Sequence, residues 1–232
     1  MDSIRKQART AGLLYFLLAI TAPIGLEYVP GKTIVSGDPA ATADRLRAME
    51  GLVRLGIWSE LFHQIIGIFL VLALYRLFRA VSEKHAVLTV VLSLLPVPIV
   101  LLNVVHELGA LILVGGAKWL SVFDKDQLDA LAYLFVRLHG QGITIASIFW
   151  GLWLFPFAWC VIRSGFIPRF LGYLMMIAGL GYLISSFTTL LLPQIAPQVR
   201  PIAMALYVGE VPIIFWLLIW GAKTPRVAAA TA

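Results

Sequence analysis

Six apolar runs dominate the chain, at about 10–29, 52–75, 86–115, 130–161, 169–192 and 201–221. Each is long enough for the roughly 20 residues that a helix needs to cross the hydrocarbon of a bilayer. Little of the chain is left for anything else. The composition agrees: mean hydropathy is +0.92, with 60% apolar and 13% charged residues, where a soluble domain carries about 25% charged. The expected fold is all-α, a polytopic six-helix transmembrane bundle forming a single domain over residues 1–232.

Lysine and arginine placement predicts the orientation. Arg5, Lys6, Arg9, Arg76, Arg79, Lys84, Arg163, Arg169, Lys223 and Arg226 flank one side of the runs, with only Asp2 and Glu83 as acids. The other side interleaves Lys32, Arg45, Arg47, Lys118, Lys125 and Arg200 with Asp38, Asp44, Glu50, Asp124, Asp126 and Asp129. The positive-inside rule then makes both termini cytoplasmic and turns three loops outward, as expected of a multi-pass protein of a bacterial inner membrane. The net charge of +6 is what cytoplasmic ends and anionic headgroups require, so no nucleic-acid partner is expected and membrane lipid is. The N-terminal run resembles a signal peptide, but Pro23 after Ala22 argues against cleavage there, and the run reads as a retained first span. Cys160 is the only cysteine, which excludes an intramolecular disulfide and a thiolate metal cluster.

Two helix starts are written into the outer loops. Asp38-Pro39 reads as a cap followed by a proline at the first helical position, opening a short helix through Glu50. Asp124 and Gln127 have capping-box spacing ahead of the fourth span, with Phe123 and Leu128 placed as a hydrophobic staple. The short connection Arg163-Ser164-Gly165-Phe166-Ile167-Pro168 makes spans four and five antiparallel neighbours.

The stretches Gly37-Asp38-Pro39-Ala40-Ala41-Thr42, Glu50-Gly51-Leu52-Val53-Arg54-Leu55-Gly56-Ile57, Leu72-Ala73-Leu74-Tyr75-Arg76-Leu77-Phe78, Gln127-Leu128-Asp129-Ala130-Leu131-Ala132 and Ser164-Gly165-Phe166-Ile167-Pro168-Arg169 resemble the bacterial membrane proteins grouped as domain of unknown function 4386. The resemblance covers nearly the whole chain. It implies a six-span membrane protein and carries no activity with it. His139 within Leu138-His139-Gly140-Gln141-Gly142 is the polar position that best matches the family pattern.

Ionisable and amide side chains interrupt four of the runs. Glu60, His63 and Gln64 lie in the second, Asn103, His106 and Glu107 in the third, Arg137, His139 and Gln141 in the fourth, and Glu210 in the last. At 1.5 Å per residue, Glu60 and His63 fall ~12 and ~17 Å below the outer start of their span, and His106, Glu107, His139 and Glu210 ~12–14 Å below theirs. Such groups in hydrocarbon are costly unless they face a protein interior and find partners, so the convergence marks a polar core in the outer half of the bilayer. Access from outside or from the outer leaflet is expected. Glu60, His63, Gln64 and Gly67 share one helical stripe, as do Asn103, His106, Glu107 and Ala110, whereas Arg137 and Gln141 lie roughly opposite His139.

Glu60-Leu61-Phe62-His63 is the spacing with which di-iron bundles present a carboxylate and an imidazole from one turn. Glu60, His63, His106 and His139 are the expected ligands of a transition metal, zinc or iron, with Glu107 or Glu210 as acid/base. The expected function is then a metal-dependent membrane enzyme acting on a lipid-like or small apolar substrate. Two other classes stay open. Pro96, Pro98, Pro156 and Pro212 interrupt spans, and a broken helix beside a buried acid, as in Gly209-Glu210-Val211-Pro212, suits a proton-coupled carrier or small-molecule binding protein. Two histidines on different helices could hold a b-type haem for electron transfer. The structural alternative to all three is interhelical hydrogen-bond glue. No lysine lies within a span, and the chain has no phosphate loop, C-x-x-C-H or G-x-S-x-G. The tryptophans read as interfacial belt and bundle packing.

The orientation is checked with single cysteines introduced in a Cys160→Ala background. An impermeant thiol reagent should label positions in 30–50, 116–126 and 193–200 in intact cells. Positions 3 and 230 should react only after lysis.

Overall fold

The computed structural model describes residues 2–222, with side chains from Ile4 onward. Lys223 and Arg226 of the basic flank, labelling position 230, and the side chains of Asp2 and residue 3 lie outside the described residues. The helices are α1 (Ile4–Thr33), α2 (Pro39–Ala48), α3 (Glu50–Phe78), α4 (Glu83–Val114), α5 (Lys125–Ser164), α6 (Arg169–Leu191) and α7 (Ala196–Trp220). All but α2 are long and apolar enough to cross a membrane, and no strand occurs among the described residues. The protein is a six-span helical membrane protein.

Local chemistry accounts for where helices start and stop. The Asp38 carboxylate accepts the Ala41 N–H at 2.9 Å and Pro39 follows at the first helical position, so α2 begins there. At the head of α5 the capping box closes in both directions: Gln127 N–H to Asp124 Oδ1 at 2.8 Å, and Asp124 N–H to Gln127 Oε1 at 3.1 Å. α5 ends at Gly165 in the left-handed region, φ 71°, the conformation that favours glycine at a helix C-terminus. Four irregular turns inside the spans lie beside or just ahead of prolines, which remove a backbone donor. Pro23 precedes a π turn over Ile24–Tyr28, Leu95 precedes Pro96, Trp153 interrupts α5 ahead of Pro156, and a 3₁₀ turn over Val208–Glu210 leads to Pro212.

The chain forms two compact units. One comprises the described parts of 1–16, 67–94 and 147–232. Its core is aromatic: Tyr15 packs on Trp153 and Phe157, with ring centroids 5.8 and 6.3 Å apart, and Phe78 lies edge-on to Phe157 and stacked on Phe166. Here α5 and α6 meet as antiparallel neighbours through small residues. A Cβ added at Gly151 would lie 2.8 Å from the Gly179 carbonyl oxygen, and one at Gly179 would lie 2.9 Å from that of Gly151. Without a hydrophobic drive between helices in lipid, such close backbone approach is what holds them together.

The other unit comprises 17–66 and 95–146. α2 lies over it through Leu46, which joins Val53, Ile57, Val104, Leu111 and Val136 in one apolar cluster. Asp129 pins α2 down. This acid, 1% exposed, pairs with Arg47 of α2 and with Lys125 at 2.6 Å, and Arg47 also holds Asp44 at 2.8 Å. Two cations compensate one buried carboxylate, whose burial alone would be costly.

Gly179→Val should lower stability by about 1–3 kcal/mol, the usual penalty of overpacking, seen as a fall in Tm in detergent. Gly51→Ala, where a Cβ meets nothing within 4 Å, should leave Tm unchanged or slightly raised.

Candidate functional site

Glu60 of α3, Glu107 of α4 and His139 of α5 converge in the second unit. One ligand atom from each lies within 4.8 Å of the other two. His139 Nε2 is 3.1 Å from Glu60 Oε2 and 3.8 Å from Glu107 Oε2. All three side chains are buried, at 3%, 6% and 6% exposure. Glu60 Oε1 and Glu107 Oε2 have no hydrogen-bond donor among the described residues. With both carboxyls ionised and the imidazole neutral, the group carries two negative charges almost out of reach of water. Protons or a dication must neutralise them.

The surrounding backbone makes room for this group. Gly25 lies in the π turn after Pro23, and a Cβ there would sit 2.7 Å from Glu60 Cγ, so only glycine lets the carboxyl pass. One helix position before Glu60, Ser59 donates to the Thr21 carbonyl at 2.8 Å and sets the register of α3 on α1. On α5, the Asn103 amide donates to the His139 carbonyl at 2.8 Å. Gly142 admits that amide, since a Cβ would fall 2.1 Å from Asn103 Oδ1. A cavity of about 20 Å³, bordered by Val29, Leu46, Val53, Val136, Glu107 and His139, is large enough for one water molecule.

The remaining polar residues of the spans fall elsewhere. His63 is turned to α1, its Nδ1 3.2 Å from the Leu18 carbonyl and 3.4 Å from Thr21 Oγ1. Gln64 is buried, and with His63 and Glu60 it borders a second, narrower gap. His106 is half-buried, and its Nδ1 lies 3.1 Å from both the carbonyl and Oδ1 of Asn103. Its ring leans on Phe135. Glu107, one residue on, is rotated by about 100° and takes the inward position instead. Arg137 and Gln141 are exposed rather than part of a polar core, because two residues of rotation carry them to the far side of α5 from His139.

Glu210 belongs to the first unit. Tyr15 donates to its Oε1, and Tyr182 to its Oε2 at 3.3 Å, with Tyr207 stacked on Tyr182. Sequence reasoning missed these tyrosines, along with Gly25, Gly142 and Ser59. Pro23 was the available signal for Gly25, since a helix break next to a polar stripe is where a small residue gains a purpose.

Fold and site together define the class: a polytopic helical membrane protein with a buried Glu/His group. Residues 10–221 match the family model described as Domain of unknown function (DUF4386), and the chain belongs to that family. It is 29% identical over 177 residues to an uncharacterized protein of Archaeoglobus fulgidus, covering 72% of this chain and 89% of the relative. That relative is archaeal, so the likeness reaches beyond bacterial proteins. No solved structure matches the chain.

Asn103→Leu keeps the side-chain volume but removes the amide that ties α4 to the His139 carbonyl. It should cost about 0.5–1.5 kcal/mol, the net worth of one hydrogen bond, read from thermal unfolding. An unchanged Tm would contradict the role given to this amide.

Proposed function

We propose that Glu60, Glu107 and His139 hold one divalent transition metal, and that the protein is a metal-dependent membrane enzyme acting on a lipid-like or small apolar substrate. One observation carries this reading: two buried carboxyls, each with one oxygen that finds no donor among the described residues, and an imidazole bring one ligand atom apiece within 4.8 Å of one another, a spacing that a single ion bridges. A dication neutralises two carboxylates and satisfies both orphan oxygens at once, whereas protons alone leave each carboxyl still in need of a partner. The donor set is one nitrogen and two oxygens, poorer in nitrogen than the sequence suggested. It suits zinc, iron(II) or manganese(II). The adjacent cavity, with room for one water molecule between Glu107 and His139 on one side and Val29, Leu46, Val53 and Val136 on the other, would place that water beside a bound ion, which would supply Lewis-acid chemistry there. In this reading the termini are cytoplasmic and the site is reached from the outer leaflet.

A proton-coupled carrier is the second reading. The observation in its favour is the Glu60–His139 hydrogen bond at 3.1 Å, a complete pair that needs no metal. The haem alternative gains nothing from a group with a single imidazole.

Protein purified without chelators should retain metal at near-unit stoichiometry by elemental analysis. His139→Ala and Glu107→Gln should each lower metal affinity by at least about tenfold, as loss of a ligand does. His63→Ala and His106→Ala should keep the metal. Absence of metal after reconstitution with zinc, iron(II) and manganese(II) would overturn the metal reading and leave the carrier.

A further inference from the structure

The outward face of α5 is polar where a lipid-facing helix should be apolar. Arg137 and Gln141 lie one turn apart and exposed, flanked by exposed Leu134, Leu138 and Ile145. Residues 138–162 contain no lysine, arginine, aspartate or glutamate, and that run is long enough to cross the hydrocarbon. Residues 130–136 are uncharged as well, so Arg137 lies ~10 Å below the outer start of its apolar run, a depth from which its long side chain snorkels to the edge of the hydrocarbon. It forms no hydrogen bond or ion pair with any described residue. The acids of its own unit are engaged elsewhere or out of reach. Asp129 is held by Arg47 and Lys125, Glu50 by Arg54, Asp44 by Arg47, and Asp38 and Asp124 cap helices. Glu60 and Glu107 are buried, and Glu27 interacts with a residue other than Arg137. Asp126, on the same face, is 11 residues away, ~16 Å along the axis.

We propose that this face binds the phosphate of a membrane phospholipid, with Arg137 on the phosphate and Gln141 on the ester region beneath it. A guanidinium at the edge of hydrocarbon needs an anion, and its planar fork matches two phosphate oxygens. Gln141 lies ~6 Å further along the helix toward the apolar run, where its amide meets the glycerol-ester carbonyls that follow the phosphate in a phospholipid. Gly140 lies between the two, and a Cβ there would meet nothing within 4 Å. With no side chain of its own, it leaves the helix surface beside Arg137 open to the start of an acyl chain. A second copy of the protein fits this face less well, because symmetric pairing about α5 brings Arg137 against Arg137. The proposal is independent of the metal reading, since none of these residues takes part in the Glu/His group.

The test uses full-length protein and native mass spectrometry, titrated with phosphatidylglycerol and, in parallel, with a diacylglycerol of the same chains. Wild type should retain phosphatidylglycerol and not diacylglycerol. Arg137→Gln should weaken retention about tenfold, the worth of one charge-assisted pair. Gln141→Leu should weaken it less. Arg54→Gln, which removes an arginine already paired with Glu50, should change nothing. Both arginines are exposed, so an unchanged Tm confirms that the variants fold. Equal retention by wild type and Arg137→Gln overturns the proposal. So does displacement of the lipid by millimolar inorganic phosphate, which points to a soluble anion, or a dimer that Arg137→Gln strengthens in the absence of lipid.

Discussion

Two carboxyls and one imidazole, drawn together from three helices inside an apolar bundle, set the terms for the second unit. Each ionised group in such surroundings costs several kcal/mol unless it is paired. Glu60 and Glu107 share one partner nitrogen between them, so the protein by itself supplies half of what they need. A helix packing that served only to hold α3, α4 and α5 together would do better with leucine, or with amides that satisfy each other. Glu210 provides the contrast within the same chain. It has a tyrosine hydroxyl on each carboxylate oxygen and a 3₁₀ turn that seats it. One acid has a donor on each oxygen, whereas Glu60 and Glu107 each keep one oxygen without a donor among the described residues.

The backbone around the Glu/His group is irregular in a way that follows from this need. Pro23 breaks the hydrogen-bond ladder of α1, and the π turn after it brings Gly25 against the Glu60 side chain. Gly142 does the same for Asn103, which in turn holds the main chain of His139. Over this arrangement α2 is fastened by Arg47 to a fully buried Asp129. Small residues, a proline and a compensated acid thus fix three side chains whose charges oppose being placed together.

What could be read from the residues alone was whatever depends on near neighbours in sequence. Apolar run length gave the six spans, and the caps at Asp38 and Asp124 are spacings of three residues. Polar residues at coincident depth in apolar runs named Glu60, Glu107 and His139 as candidates, and helical periodicity grouped Glu60 with His63 and Gln64, and Glu107 with Asn103 and His106. Periodicity could not choose between adjacent His106 and Glu107, which differ by about 100° of rotation; that choice rests on how α4 is turned against α5, where Phe135 packs on Gly109 and leaves His106 at the side. Nor could it show that His63 bonds to the Leu18 carbonyl, since that contact depends on how α3 packs on α1, 45 residues away in sequence. Asp129 looked like one more loop acid. Its burial comes from α2 folding back over it, a contact across 82 residues of chain.

X-ray absorption at the metal edge of the loaded, membrane-reconstituted protein tests the central claim most directly. The account predicts a first shell of oxygen and nitrogen at about 2.0–2.2 Å, with the outer-shell scattering of one imidazole, lost in His139→Ala and intact in His63→Ala. Scattering from two or more imidazoles, or a spectrum that His139→Ala leaves unchanged, would contradict it.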